Sequence, residues 1–242
     1  MKLNASKSVI LAALALCGTA FAQSAAPAPE STLAFNAGLT TDYRYRGVSQ
    51  SRLKPAVQAG VDYAHASGFY LGAWGSSIKW IKDSGGDGNL ELDIYGGYKG
   101  TAGDVGYDVG VLTYQYPSNK LNPSANTTEI YGAVTFGVVT AKYSHSTTNL
   151  FGFANSKNSG YLDISATIDL GNGWSLVPHV GHQRVAKNSA ASYTDYSIGV
   201  SKDIDGLILT AAIVGTDSKF YVAPNGKNLG RDGLVLSIKK NF

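Results

Sequence analysis

Alternation with a period of two runs through nearly the whole chain, and this limits most severely what the chain can become. Leu33, Phe35, Ala37, Leu39, Thr41, Tyr43 and Tyr45 occupy one set of positions, and Asn36, Gly38, Thr40, Asp42, Arg44 and Arg46 the other. Successive side chains of a strand point to opposite faces, so this spacing predicts a first strand with one apolar or aromatic face and one polar or glycine face. Val57 to Tyr63, Leu90 to Ile94, Val105 to Val111 and Leu162 to Ile168 repeat it. With weaker segments near 69–80, 127–137, 139–147, 174–185, 193–202, 207–216 and 233–242, about twelve strands are expected, and no segment has a helical period.

The linkers alternate in length. Long ones fall at 47–54, 81–88, 117–126, 148–160, 186–192 and 217–232, and short ones at 65–68, 99–104, near Gly137, 170–173 and 202–206. Long and short connections therefore gather at opposite ends, as in a transmembrane barrel with short periplasmic turns and longer outer loops. The expected fold class is an all-β, antiparallel transmembrane β-barrel. A soluble barrel or sandwich would turn the apolar face inward, and two features oppose it. The polar faces carry glycines and carboxylates suited to a lumen. Aromatics also collect at segment ends: Tyr43, Tyr45, Trp80, Tyr114 and Tyr116 toward the long loops, and Phe35, Tyr63, Trp174 and Phe242 toward the short turns. Two aromatic girdles are expected of a barrel in lipid.

The first residues give the same address. Lys2 and Lys7 precede an apolar run from Val9 to Leu16, followed by Ala20-Phe21-Ala22, which reads as a secretory signal peptide over 1–22. A lipoprotein anchored through Cys17 is the competing reading, but Leu16 stands where a small residue is wanted. Residues 23–31 read as a flexible periplasmic leader and 32–242 as the barrel. Cleavage after Ala22 removes the only cysteine, so no disulfide is available, and it brings the formal charge of +3 close to neutral, which argues against a nucleic-acid partner.

At the carboxyl end, GLVLSIKKNF sets Leu234, Leu236 and Ile238 on the face that ends in Phe242. This resembles the terminal recognition strand of bacterial outer-membrane proteins, and implies that the outer-membrane assembly machinery is a partner. Lys240 departs from the usual apolar residue there, but a lysine near the interface can extend its ammonium to water. TDYRYRGVSQS, PAVQAGVDYAHASGFYLGAWGS and ELDIYGGY, most specifically from Thr41 to Tyr98, resemble the TorF family of proteobacterial porins. The resemblance implies an outer-membrane location, surrounding lipids and a pore, and names no substrate.

Catalysis is the competing class, because lipases and lipid A deacylases also occur as twelve-stranded barrels. Ser144 and Ser146 fall on the face opposite His145, so these neighbours cannot form a nucleophile and base pair. His179 and His182 point to opposite faces and cannot share a metal from one straight strand. Neither a nucleophile motif nor a phosphate-cradling glycine loop is present, and the sequence calls for no cofactor and no metal.

The polar face turned inward gives a lumen of Asp42, Arg44, Arg46, Asp62, Glu91, Asp93, Asp108, Glu129, Lys142, Asp163, Asp195 and Lys239. Arg44 and Arg46 should face Glu91, Asp93, Glu129, Asp163 and Asp195 at similar height, near the long loops. Such opposed charges bias which ions enter a constriction, and the excess of carboxylates predicts a modest cation preference. The same charges could instead pair with one another and fill the barrel. The expected function is passive diffusion of small hydrophilic solutes or ions through a monomer or homo-oligomer, with a lipid-modifying enzyme or a non-conducting structural or adhesive barrel as alternatives.

Overall fold

The structure, a computed structural model, describes residues 30–242. The expected signal peptide and all but the end of the leader lie outside the described residues. In chain order the elements are β1 (Ser31–Thr40), β2 (Arg44–Tyr45), β3 (Val48–Ser49), β4 (Ala56–His65), β5 (Phe69–Ser77), α1 (Trp80–Asp83), β6 (Leu90–Ala102), β7 (Val105–Gln115), β8 (Thr127–Phe136), β9 (Val139–Ser146), β10 (Gly160–Ala166), β11 (Ile168–Gly171), β12 (Trp174–Arg184), β13 (Tyr193–Ile204), β14 (Leu207–Thr216) and β15 (Gly233–Asn241).

Apart from β2 and β3, which form a separate hairpin, the strands make one antiparallel sheet in which each pairs with its neighbours along the chain. The wall strand broken at Thr167 supplies both β10 and β11, and both pair with β12, so the wall has the expected twelve strands. Closure comes from β1, which pairs with β4 on one side and with β15 on the other. The seam ends in two backbone hydrogen bonds between Phe35 and Phe242, in which each amide donates to the other's carbonyl. Tight turns at 66–68, 103–104, 137–138, 172–173 and 205–206 lie at one end, and the long connections at the other.

The outer wall is apolar along every strand. Leu33, Phe35 and Leu39 of β1, Val57 of β4, Leu71 of β5, Val109 and Val111 of β7 and Ile213 of β14 are all exposed. Soluble proteins seldom expose a contiguous apolar patch beyond a few hundred Å², whereas a continuous belt matches hydrocarbon. Phe35, Tyr63, Trp174 and Phe242 are exposed at the short-turn end, as expected. Lys240 also faces out there, and its Nζ donates to the Asp205 carbonyl in the adjoining turn at 2.7 Å, so the charge ends at the polar edge of the belt.

The expected girdle at the long-loop end is overturned. Tyr43, Tyr114 and Tyr116 are buried inside the barrel, with Tyr45 and Trp80 packed against them. Val109 and Val111 fix the outward parity of β7, so Tyr114 shares the inner face with Asp108. The first strand is also shorter than its alternation suggests. It stops at Thr40, and residues 41–55 turn into the barrel.

The inner face is rich in tyrosine, and several of these rings lie over a glycine of the next strand. Gly72 is paired with Tyr95, Gly97 with Tyr70 and Gly110 with Tyr131. A Cβ on Gly72 would lie 2.4 Å from the Tyr95 ring, so only glycine leaves the ring room to lie flat on the wall.

Because the seam ends on Phe242, deleting that residue removes two backbone hydrogen bonds, a loss of about 1–3 kcal/mol. The deletion should lower the temperature at which the fast-migrating folded form is lost on SDS gels, whereas Lys240→Ala should change it little. Equal midpoints for the deletion and the parent would contradict this closure.

Candidate functional site: a hairpin seated in the lumen

The short pairing of β2 with β3 turns at Arg46 and Gly47, both with positive φ, 45° and 77°. Two positive values at the centre of a two-residue turn are the type I′ geometry, whose twist suits a tight hairpin. Arginine is an unusual occupant of the left-handed region, and its side chain shows what holds it there. Nη1 and Nη2 donate to the two carboxylate oxygens of Glu129 on β8 at 3.0 and 2.7 Å, and Nη1 also donates to Oε1 of Gln183 on β12 at 2.6 Å. The guanidinium lies 4.2 Å from the ring centre of Tyr161 and 4.8 Å from that of Tyr45. Beside it, Gly47 presses on β13 and β14. A Cβ there would meet Thr216 at 2.5 Å and Asp195 at 2.7 Å. The hairpin therefore crosses the lumen from the β1–β4 side to the far wall.

Asp42 and Arg44 serve the hairpin itself. Asp42 accepts from Arg44 Nε at 2.5 Å, Ser49 Oγ at 2.5 Å and Ser51 Oγ at 3.2 Å. Arg44 Nη1 donates to the carbonyls of Gly47, Leu229 and Arg231, at 2.9 to 3.0 Å. These two residues clamp the loop to the 229–231 segment, and Arg44, expected to face Glu91, Asp93, Glu129, Asp163 and Asp195, spends its guanidinium on Asp42 and on these carbonyls instead. Of the three charges, Arg46 alone reaches the carboxylates.

Those carboxylates do converge. Glu91 and Asp93 of β6, Glu129 of β8, Asp163 of β10 and Asp195 of β13 all point inward, none more than 4% exposed. Tyrosine hydroxyls satisfy most of them. Tyr43 donates to Glu91, Tyr114 to Glu129 at 3.2 Å, and Tyr161 to Asp195 at 3.0 Å. The pattern continues lower in the barrel, where Tyr95 donates to Asp62 and Tyr70 to Asp108. A phenol donates one hydrogen bond to a carboxyl oxygen and brings no positive charge of its own. Oδ1 of Asp93 and Oδ1 of Asp163 are buried with no hydrogen-bond partner among the described residues. Sequence reasoning missed Tyr70, Tyr114 and Tyr161 here, although their parity along β5, β7 and β10 places them inside, whereas Tyr43 follows β1 and alternation aimed it outward.

Lower down, Asp62, Asp108, Lys142 and Lys239 face the lumen and are only half-buried. Lys142 Nζ sits 3.9 Å from the ring centre of Tyr131. The interior is thus more open toward the short turns and tightest at the level of Arg46.

Ser144 and Ser146 point inward while His145 sits outside against Tyr143, as alternation requires. His179 is inside and His182 outside, where it meets Thr194. Both ring nitrogens of His179 face carboxylates, Nε2 at 2.8 Å from Asp163 and Nδ1 at 3.7 Å from Asp195. Only the Nε2 contact is within hydrogen-bond range, so Asp163 is the group that orients the ring. Among the described residues no group of three or more His, Cys, Asp or Glu side chains is placed to hold a metal ion.

Above the hairpin the long loops enclose a vestibule of about 570 Å³, floored by Tyr45, Ser49 and Gln50 and walled by Trp80, Phe153 and Tyr221 among others. Two ion pairs tie its rim, Arg52 with Asp83 and Lys120 with Asp87. The hydrogen bond and charge of Lys120 hold the exposed Asp87 carboxyl below its ordinary range.

Gly47→Ala adds a Cβ to a left-handed residue and drives it into Thr216, so the hairpin should lift from the lumen at a cost above about 1 kcal/mol. Folded, detergent-solubilised protein should then be cut by trypsin at Arg44 or Arg46, where the parent resists. Equal resistance of the two would show that the tip is not seated against β14.

The fold is similar to that of solved porins. The KdgM porin superimposes with a TM-score of 0.54 at 6% identity over 88% of this chain and 98% of that one. The NanC porin gives 0.53 at 10% identity over 87% of this chain and 99% of that one. A structure of the KdgM porin in complex with disordered oligogalacturonate gives 0.52 at 6% identity. No curated protein sequence matches the chain. Residues 24–242 match the model of the Gcw_chp family, bacterial proteins of unknown function, and the chain belongs to that family.

Proposed function

We propose that the protein is an outer-membrane porin, exported by the signal peptide at 1–22, that passes small hydrophilic solutes or ions by diffusion. The observation that carries this reading is the contrast between walls: an apolar belt outside and a charged, partly wetted lumen inside one closed sheet. The TorF resemblance and the similarity of fold to the KdgM and NanC porins point the same way. Surrounding lipid follows from the belt, and recognition of the strand ending in Phe242 by the assembly machinery follows from its resemblance to other outer-membrane proteins.

Selectivity is set at the hairpin. Glu91, Asp93, Glu129, Asp163 and Asp195 line the narrow level, where Arg46 and His179 are the facing basic groups, with Lys142 lower down. This favours cations. A polyanion such as the oligogalacturonate bound by the KdgM porin would meet repulsion here. The tightness of the level around Arg46 also favours a second reading, a structural barrel that conducts nothing, and current across a planar bilayer separates the two.

The two arginines should behave differently. In a salt gradient, Arg46→Ala should shift the reversal potential toward stronger cation preference, because Glu129 loses its counter-charge. Arg44→Ala, which loses only loop contacts, should leave the potential near the parent's. Salt should weaken the difference as screening shortens to about 10 Å at 0.1 M. An open pore whose preference ignores Arg46→Ala would show that the arginine holds the loop without tuning the ions.

A further inference from the structure

The vestibule above the hairpin has its own chemistry. Six of the rings that line it are Tyr45, Trp80, Tyr116, Phe153, Phe220 and Tyr221. They form an edge-to-face cluster in places, with Trp80 5.0 Å from Tyr116 and Phe220 5.2 Å from Tyr221 between ring centres. A cavity of this size suits a small organic molecule. The charges in its wall are already matched, Asp83 by Arg52 and Lys120 by Asp87.

What lies beneath sets the sign of the ligand. Arg46 is neutralised by Glu129, and the other groups buried at this level are the carboxyls of Glu91, Asp93, Asp163 and Asp195, with His179 between the last two. A ring cluster over a level with more acidic than basic side chains is a poor site for an anion and a good one for a cation, since ring faces carry negative charge. The barrel already uses its tyrosines in this way: Arg46 packs on Tyr45 and Tyr161, and Lys142 on Tyr131. We propose that the vestibule binds a bulky organic ammonium ion, of the quaternary or alkylated amine class, and holds it above the narrow level of the lumen. This deepens the cation-preferring reading and rests on it for its physiological sense, but binding itself requires no current.

The test is calorimetric titration of the refolded, detergent-solubilised protein with choline and, separately, with 3,3-dimethyl-1-butanol, its uncharged carbon isostere. Folding is checked by the shift on unboiled gels. Choline should bind saturably and the isostere should not. The double variant Phe153→Leu/Phe220→Leu, which keeps apolar bulk but removes two rings, should weaken choline about tenfold. Equal binding of the isostere, no saturable binding of choline to folded protein, or an unchanged affinity in the double variant would each overturn the proposal. A protein that binds choline and carries no current would sink the porin reading and leave this one standing.

Discussion

The bidentate pair between Arg46 and Glu129 is the contact on which the interior depends. It spans the lumen, since Arg46 sits on the hairpin that follows β1 and Glu129 on β8, and both side chains are almost fully buried. Removing one member of such a pair leaves a buried charge uncompensated, at a cost of about 3–5 kcal/mol. The pair also explains a backbone feature that would otherwise be strain without return. Arg46 occupies the left-handed region because the turn places its guanidinium between two tyrosine rings and a carboxylate.

Around this contact the wall solves a second problem, which is how to keep many carboxylates in a narrow barrel. Tyrosine hydroxyls answer it, and glycines make room for the rings: Tyr95 over Gly72 reaches Asp62, and Tyr70 over Gly97 reaches Asp108. The same device satisfies hydrogen bonding without adding a basic group to the lumen.

Most of the wall was legible in the sequence because lipid and lumen sort residues at every second position, and loop lengths sorted the ends. Reading failed where alternation continued without a wall. Thr41 to Arg46 alternates as cleanly as β1, yet it enters a hairpin with lumen on both sides; the one local sign is Arg46-Gly47, a pair able to turn. Tyrosine misled for a related reason, since its ring suits a lipid interface and its hydroxyl suits a carboxylate. Tyr114 and Tyr116 share parity with Asp108, so their inward aim was readable. The pairing of Tyr70 with Gly97 was not, because it needs the register between strands.

The most direct measurement is single-channel conductance of four proteins: the parent, Arg46→Met, Glu129→Met and the double variant. If the pair seats the hairpin as one unit, each single substitution frees it, and the double variant should conduct no more than either single one, all three above the parent. Contributions that act through one shared contact fail to add in this way. Increments that add, or four equal conductances, would contradict a lumen narrowed by the Arg46 hairpin.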